Sequence, residues 1–201
     1  MKNLKQYLAA LLAIAALAAP LAGRAQNPGN GGTTFSGLPG AARPEEFLGK
    51  FVELSNAEAA ANTTLSNALG IAAPARPALD MSALAADIAN AATAADAARQ
   101  RLMQAVSAPV ALNDGAKADF AAGALALMQA TRDFTALTKN LGAIKQSLAM
   151  SGAKARVALY ASRNTADIAE KLRAELKAVV AFAAANQITL APEVTATAAQ
   201  L

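Results

Sequence analysis

Ser151 and Lys154 stand three residues apart in the stretch LAMSGAKARVAL, 148–159, the spacing of a Ser-x-x-Lys nucleophile. Ser162 and Asn164 follow in a way that imitates the second element of the same machinery. That chemistry also needs a serine at the start of a buried helix, a Lys-Thr-Gly element on a strand, and an oxyanion hole. The chain has no Lys-Thr-Gly triplet and no stretch with the alternation of a strand, so Ser151 and Gly152 read as turn residues. A second set, Glu45, Glu46, Glu53 and Glu58, offers paired carboxylates for acid and base work. Glu46 shares one side of a predicted helix with Glu53 or Glu58, but no acidic helix is predicted opposite them. A solvated face is expected. Asn62-Thr63-Thr64 matches a glycosylation acceptor, yet it falls inside the same predicted helix and reads as coincidence.

Missing residue types narrow the chemistry further. Without His, Cys or Trp the chain lacks the usual ligands for zinc, haem or copper, any Ser-His or Cys-His pair, and any disulfide. Carboxylate, lysine and hydroxyl chemistry remain. No enzymatic constellation, cofactor or metal is therefore expected.

Charge distribution supplies the third candidate. Between Asp133 and Asp167 lie Lys139, Lys145, Lys154, Arg156 and Arg163 with no acid among them. Together with Arg76 on an earlier connection they form a candidate anion-contact surface. The ordinary alternative is that cations suit helix C-termini and solvated lysines keep bundles soluble.

The elements that must carry these residues begin after an N-terminal targeting segment. MKNLKQYLAALLAIAALAAPLAGRAQ places Lys2 and Lys5 before an apolar run from Tyr7 to Ala19, followed by Pro20 and small residues. This is the layout of a secretory signal peptide, and the run is shorter than the roughly 20 residues of a membrane span. Cleavage is expected after Ala25, with Gly23 and Ala25 as the small pair. Lys2, Lys5 and Arg24 then leave, so 15 of the 18 basic side chains face 14 acidic ones, a formal charge of +1. A nucleic-acid partner is not expected of so balanced a domain.

Residues 26–43 are rich in Gly, Pro, Asn and Thr and read as a flexible leader. Pro44 suits a first helical position, and Glu45 and Glu46 suit the dipole of a first turn. An apolar stripe follows at Phe47, Phe51, Leu54, Ala61, Leu65 and Leu69, ended by Gly70. Pro74 and Pro77 mark a connection. Asp80 caps a second helix with Leu84, Ile88, Ala91, Ala95, Leu102 and Val106 on one face, closed by Pro109. Asn113 and Asp114 cap a third, whose stripe runs from Phe120 through Phe134 to Leu141, Ile144 and Leu148. Its phase carries to Ser151 and Gly152, in preference to a break at Asn140 to Gly142. A fourth helix shows Val157, Ala161, Ile168, Leu172, Val179 and Phe182 and ends near Asn186 and Gln187.

These stripes predict an all-α domain over 44–187, an antiparallel up-down-up-down four-helix bundle with a longer C-terminal hairpin and a tail over 188–201. About three residues in ten are alanine, the best helix former, which lets coiled-coil-like helix axes approach but buries little area per side chain. Phe47, Phe51, Phe120, Phe134 and Phe182 are therefore expected to dominate the core. In strict alternation the basic hairpin tip and Arg76 would share one end, with Glu45, Glu46, Asp114 and Asp119 at the other. The functional expectation is a periplasmic or secreted, non-enzymatic interaction or structural module of the bacterial cell envelope. The alternative is a weak binder of anionic lipid or phosphorylated envelope polymer at the basic tip. An envelope protein or a second copy of the chain are the other partners considered.

Overall fold

The structure, a computed structural model, describes residues 44–72, 79–142, 144 and 152–201. The signal peptide, the leader, Arg76, Lys145 and Ser151 lie outside the described residues. Every regular element among the described residues is helical: α1 (Pro44–Ala68), α2 (Met81–Ala86), α3 (Ile88–Val106), α4 (Asp114–Thr138), α5 (Gly152–Ala185) and α6 (Pro192–Gln200). No described helix is long and apolar enough to cross a membrane.

Local chemistry sets most of the boundaries. α1 ends in a Schellman turn: Gly70, at φ +70°, donates to the Asn67 carbonyl and Ile71 donates to that of Ser66. α5 closes the same way at Gln187, whose φ of +54° is unusual for a residue with a side chain. Ile188 there donates to the Ala183 carbonyl. Asn113 caps α4 by accepting from the Ala116 amide at 2.8 Å.

Three boundaries differ from the sequence expectation. The single helix expected from Asp80 to Val106 is two helices, because Asp87 leaves helical backbone (φ −143°, ψ 54°) and accepts from the Asn90 amide to start α3. α4 ends at Thr138, not at Ser151. Lys139 and Asn140 donate to the carbonyls of Ala136 and Leu137, three residues back, and residues 141, 142 and 144 continue as tight 3-10 turns. Ile144 is still buried, so the apolar phase outlasts the α-helix. The expected tail contains α6, with Pro192 at its first position rather than as a barrier.

The core is built from the expected stripes. Phe47, Phe51, Phe120 and Phe134 are at most 1% exposed, and Phe182 is 4% exposed. Phe51 meets Phe134 edge to face with centroids 6.0 Å apart, and Tyr160 at the same separation. Phe120 lies 5.1 Å from Phe182 near the other ends of α4 and α5. α1 and α4 pack closest at Gly123, where a Cβ would fall 2.8 Å from the Leu65 Cγ.

Helix directions follow from the same pairs. Phe51 with Phe134 and Leu65 with Gly123 make α1 antiparallel to α4. Phe120 with Phe182 and Thr135 with Arg173 make α4 antiparallel to α5. Thus α1 and α5 run parallel, and Lys154 near the start of α5 pairs with Glu45 near the start of α1. α3 runs the same way, since its Asp96 meets Lys171 while Gln100 and Met103, further along, sit with Ala174 and Glu175. Strict up-down alternation is corrected accordingly. The reason is the connection after α1. Asn56 donates to and accepts from the Leu79 backbone at 2.8 Å, so the chain has returned alongside the middle of α1 before α2 begins. That point is 12 residues back from Ala68, about 18 Å at 1.5 Å per residue.

Candidate functional site

Arg99 projects from α3 into the interior and is 6% exposed. Its neighbours on α3, Ala91, Ala92 and Ala95, carry too little bulk to fill the space facing α5. The guanidinium Nε lies 2.8 Å from Glu58 Oε1 on α1, and Nη1 donates to Asp96 Oδ1 at 2.7 Å. Asp96 also accepts from Lys171 Nζ on α5 at 3.1 and 3.2 Å, and the same ammonium lies 2.9 Å from Asp167 Oδ2. Glu175, one turn further along α5, is 1% exposed. Glu58, Asp96, Asp167 and Glu175 thus lie around Arg99 and Lys171.

The electrostatics follow this geometry. Burial opposes the Arg99 charge more than any other single influence. The combined pull of Glu58, Glu175 and Asp96 outweighs it and holds the guanidinium above its ordinary range. The Lys171 ammonium is pushed up by its hydrogen bonds, first to Asp167 and then to Asp96, against a partial burial cost. Burial raises the Tyr160 phenol. Arg99 and Lys171 are thus both held in their charged forms.

Space exists beside them. A cavity of about 100 Å³ between α3 and α5 is lined by Phe51, Tyr160, Asn164, Ala91 and Ala95 among others. A wider one of about 420 Å³ continues along the same helix pair, against Gln100, Met103, Gln104, Ala174 and Glu175. Asp96, Arg99 and Lys171 line both. No group of three or more metal-ligating side chains occurs among the described residues.

The residues singled out from sequence fare differently. Glu58 is not on a solvated face: it is 1% exposed and ion-paired, whereas Glu45 and Glu46 are exposed. Asn62 is 3% exposed, which agrees with reading its glycosylation motif as coincidence. Of the six candidate anion-contact residues, Lys154 is held by Glu45 in an exposed pair. The expected separation of acids and bases to opposite ends is corrected by that contact, a direct result of α1 and α5 being parallel. Lys139 caps α4 and lines a groove against α6 with Arg132 and Glu193. Arg156 and Arg163 are exposed on α5, seven residues apart and so on one face. Arg76 and Lys145 lie outside the described residues.

Sequence reasoning did not select Arg99 or Glu175, though a signal existed. Glu58 falls between Leu54 and Ala61, Arg99 between Ala95 and Leu102, and Glu175 between Leu172 and Val179, each in phase with an apolar stripe. Three charges at core positions on three helices announce a buried cluster.

Comparison with known proteins finds no matching family model, no matching curated protein and no matching solved structure.

Proposed function

We propose that this chain is an exported, non-enzymatic interaction module of the bacterial cell envelope, a four-helix-bundle scaffold that engages its partner at the α3–α5 groove. The observation that carries this reading is the groove itself: charged side chains from three helices, fixed by one another at 2.7–3.2 Å, beside open space. Pre-organised charges of this kind recognise a complementary group with little ordering cost. Export is supported by the basic, apolar and small-residue order of residues 1–25.

Hydrogen exchange of the mature chain, with and without a soluble envelope extract, tests the proposal. Protection over α3 and the facing part of α5, 160–175, is expected. Protection confined to other helices, or none at any extract concentration, would overturn it. The anionic-lipid reading retains one supporting observation, the exposed Arg156 and Arg163 on a common face without an ion pair to another described residue. Salt-sensitive retention on anionic vesicles that is lost in an Arg156→Gln, Arg163→Gln variant would favour it instead.

A further inference from the structure

The large rings of the core, Phe47, Phe51, Phe120, Phe134 and Phe182, all belong to α1, α4 and α5. α3 brings far less. Its buried side chains are Ala95, Ala98, Arg99, Leu102 and Val106, and cavities of about 100 and 420 Å³ lie between it and α5. Surfaces that face such space forgo dispersion contact, so ion pairs carry much of the attachment. Arg99 reaches Glu58 on α1, and Asp96 reaches Lys171 on α5. Opening returns both partners of each pair to water together, which costs far less than deleting one of them.

A side chain under α3 favours opening outright. Asn62 lies one turn beyond Glu58 on the same face of α1 and is 3% exposed, and neither its amide nitrogen nor its oxygen finds a hydrogen-bond partner among the described residues. That unmade bonding penalises the closed arrangement, and water satisfies it once α3 moves away. α3 also has a joint at each end. Asp87, at φ −143° and ψ 54°, interrupts the backbone after α2, and its side chain caps α3, so the helix carries its own start with it. Residues 107–112, with Pro109, form an irregular link to the Asn113 cap of α4. α2 is anchored separately, by buried Leu84 and Ala85 and by the bonds between Asn56 and Leu79. We infer that α3 is a flap that swings out on these two joints as a unit while α1, α4 and α5 stay packed, uncovering Arg99 and Asn62. The motion belongs to the free chain and does not depend on what the groove binds.

Native-state hydrogen exchange of the mature chain, in urea below the unfolding transition, provides the test. Amides of α3 should exchange about tenfold or more faster than the slowest amides of α1, α4 and α5, with a shallow urea dependence because the opening exposes little surface. Phe134→Leu should quicken exchange in α1, α4 and α5 and leave α3 unchanged, since the flap opens without disturbing that ring. Lys171→Met, which breaks the bridge to Asp96, should quicken α3 by up to about fivefold, the most that an exposed pair is worth. Asn62→Leu removes the unmade bonding and should slow α3 by about tenfold. Equal acceleration of α3 and α4 in Phe134→Leu, or one steep urea dependence shared by all the helices of the wild type, overturns the proposal. Faster α3 exchange in Asn62→Leu overturns it as well. Protection by envelope extract is a separate readout: if it fails while α3 still opens alone, the contact site is wrong and the flap stands.

Discussion

Arg99→Met keeps a long apolar stem in the space between α1, α3 and α5 and removes the guanidinium. Arg99 is 6% exposed, Glu58 is 1% exposed, and their charged atoms are 2.8 Å apart. The substitution takes from buried Glu58 the guanidinium paired with it and from buried Glu175 a nearby positive charge. Breaking a buried pair in this way costs about 3–5 kcal/mol. The control is Lys154→Met, which breaks the pair with Glu45 where the two side chains are 52% and 66% exposed. Exposed pairs contribute about 0.2–1 kcal/mol. Urea unfolding followed by circular dichroism separates these cases. With a denaturant slope of about 2 kcal/mol per molar, Arg99→Met lowers the midpoint by roughly 1.5–2.5 M and Lys154→Met by under about 0.5 M. Adding Glu58→Leu to Arg99→Met should recover part of the loss, since one uncompensated charge disappears. A loss below about 1 kcal/mol for Arg99→Met, comparable to the control, would refute the view that buried charges hold α1, α3 and α5 in register.

Four further outcomes are expected. Phe134→Ala should cost about 3–5 kcal/mol in the same assay, because a fully buried ring in edge contact with Phe51 is lost. Gly123→Ala should destabilise by about 1–2 kcal/mol despite the better helix propensity of alanine, because its Cβ meets the Leu65 backbone nitrogen at 3.2 Å as well as the side chain; a gain in stability would show that α1 and α4 separate freely there. Asp133 has its carboxyl raised above 3.8, chiefly by burial, so the folded state binds its proton more tightly and stability falls as pH rises through the folded value. Asp133→Asn should therefore gain on wild type in melting temperature as pH rises from the ordinary carboxylate range through that folded value. N-terminal sequencing of the exported form should start at Gln26, and a membrane-retained chain starting at Met1 would replace the signal with an anchor.

Helix existence and core membership were legible because large apolar residues recur at three and four residue steps with little competing pattern. Phe47, Phe51, Leu65, Leu127 and Leu172, all buried, follow directly from that phase. Three features were not legible for identifiable reasons. The end of α4 was hidden because Leu141 and Ile144 keep the apolar phase while Asn140 donates its side-chain amide back to Ala136 and the backbone tightens. The direction of α3 was hidden because it depends on Asn56 fastening Leu79, a contact across 23 residues that no local pattern encodes. The charge cluster was hidden because Glu58 was weighed as a solvent group by type and Arg99 and Glu175 were not selected, although the spacing of all three placed them in the stripes. Asp167 and Lys171 stand one turn apart in the sequence, but Asp96 joins them only because α3 lies parallel to α5.

The parallel placement of α1 and α5 bears on the order in which the molecule assembles. α1 finds its main partner in α4, with Phe51 waiting for Phe134 and Leu65 for Gly123, and Glu45 meets Lys154 across 109 residues. A chain emerging from its N-terminus therefore has an amphipathic helix whose apolar face stays uncovered until more than half the domain has followed. Contacts of such sequence separation slow folding well below the rate of bundles made from neighbouring hairpins. A late-closing fold stays threadable for longer, a property that would serve the export proposed above.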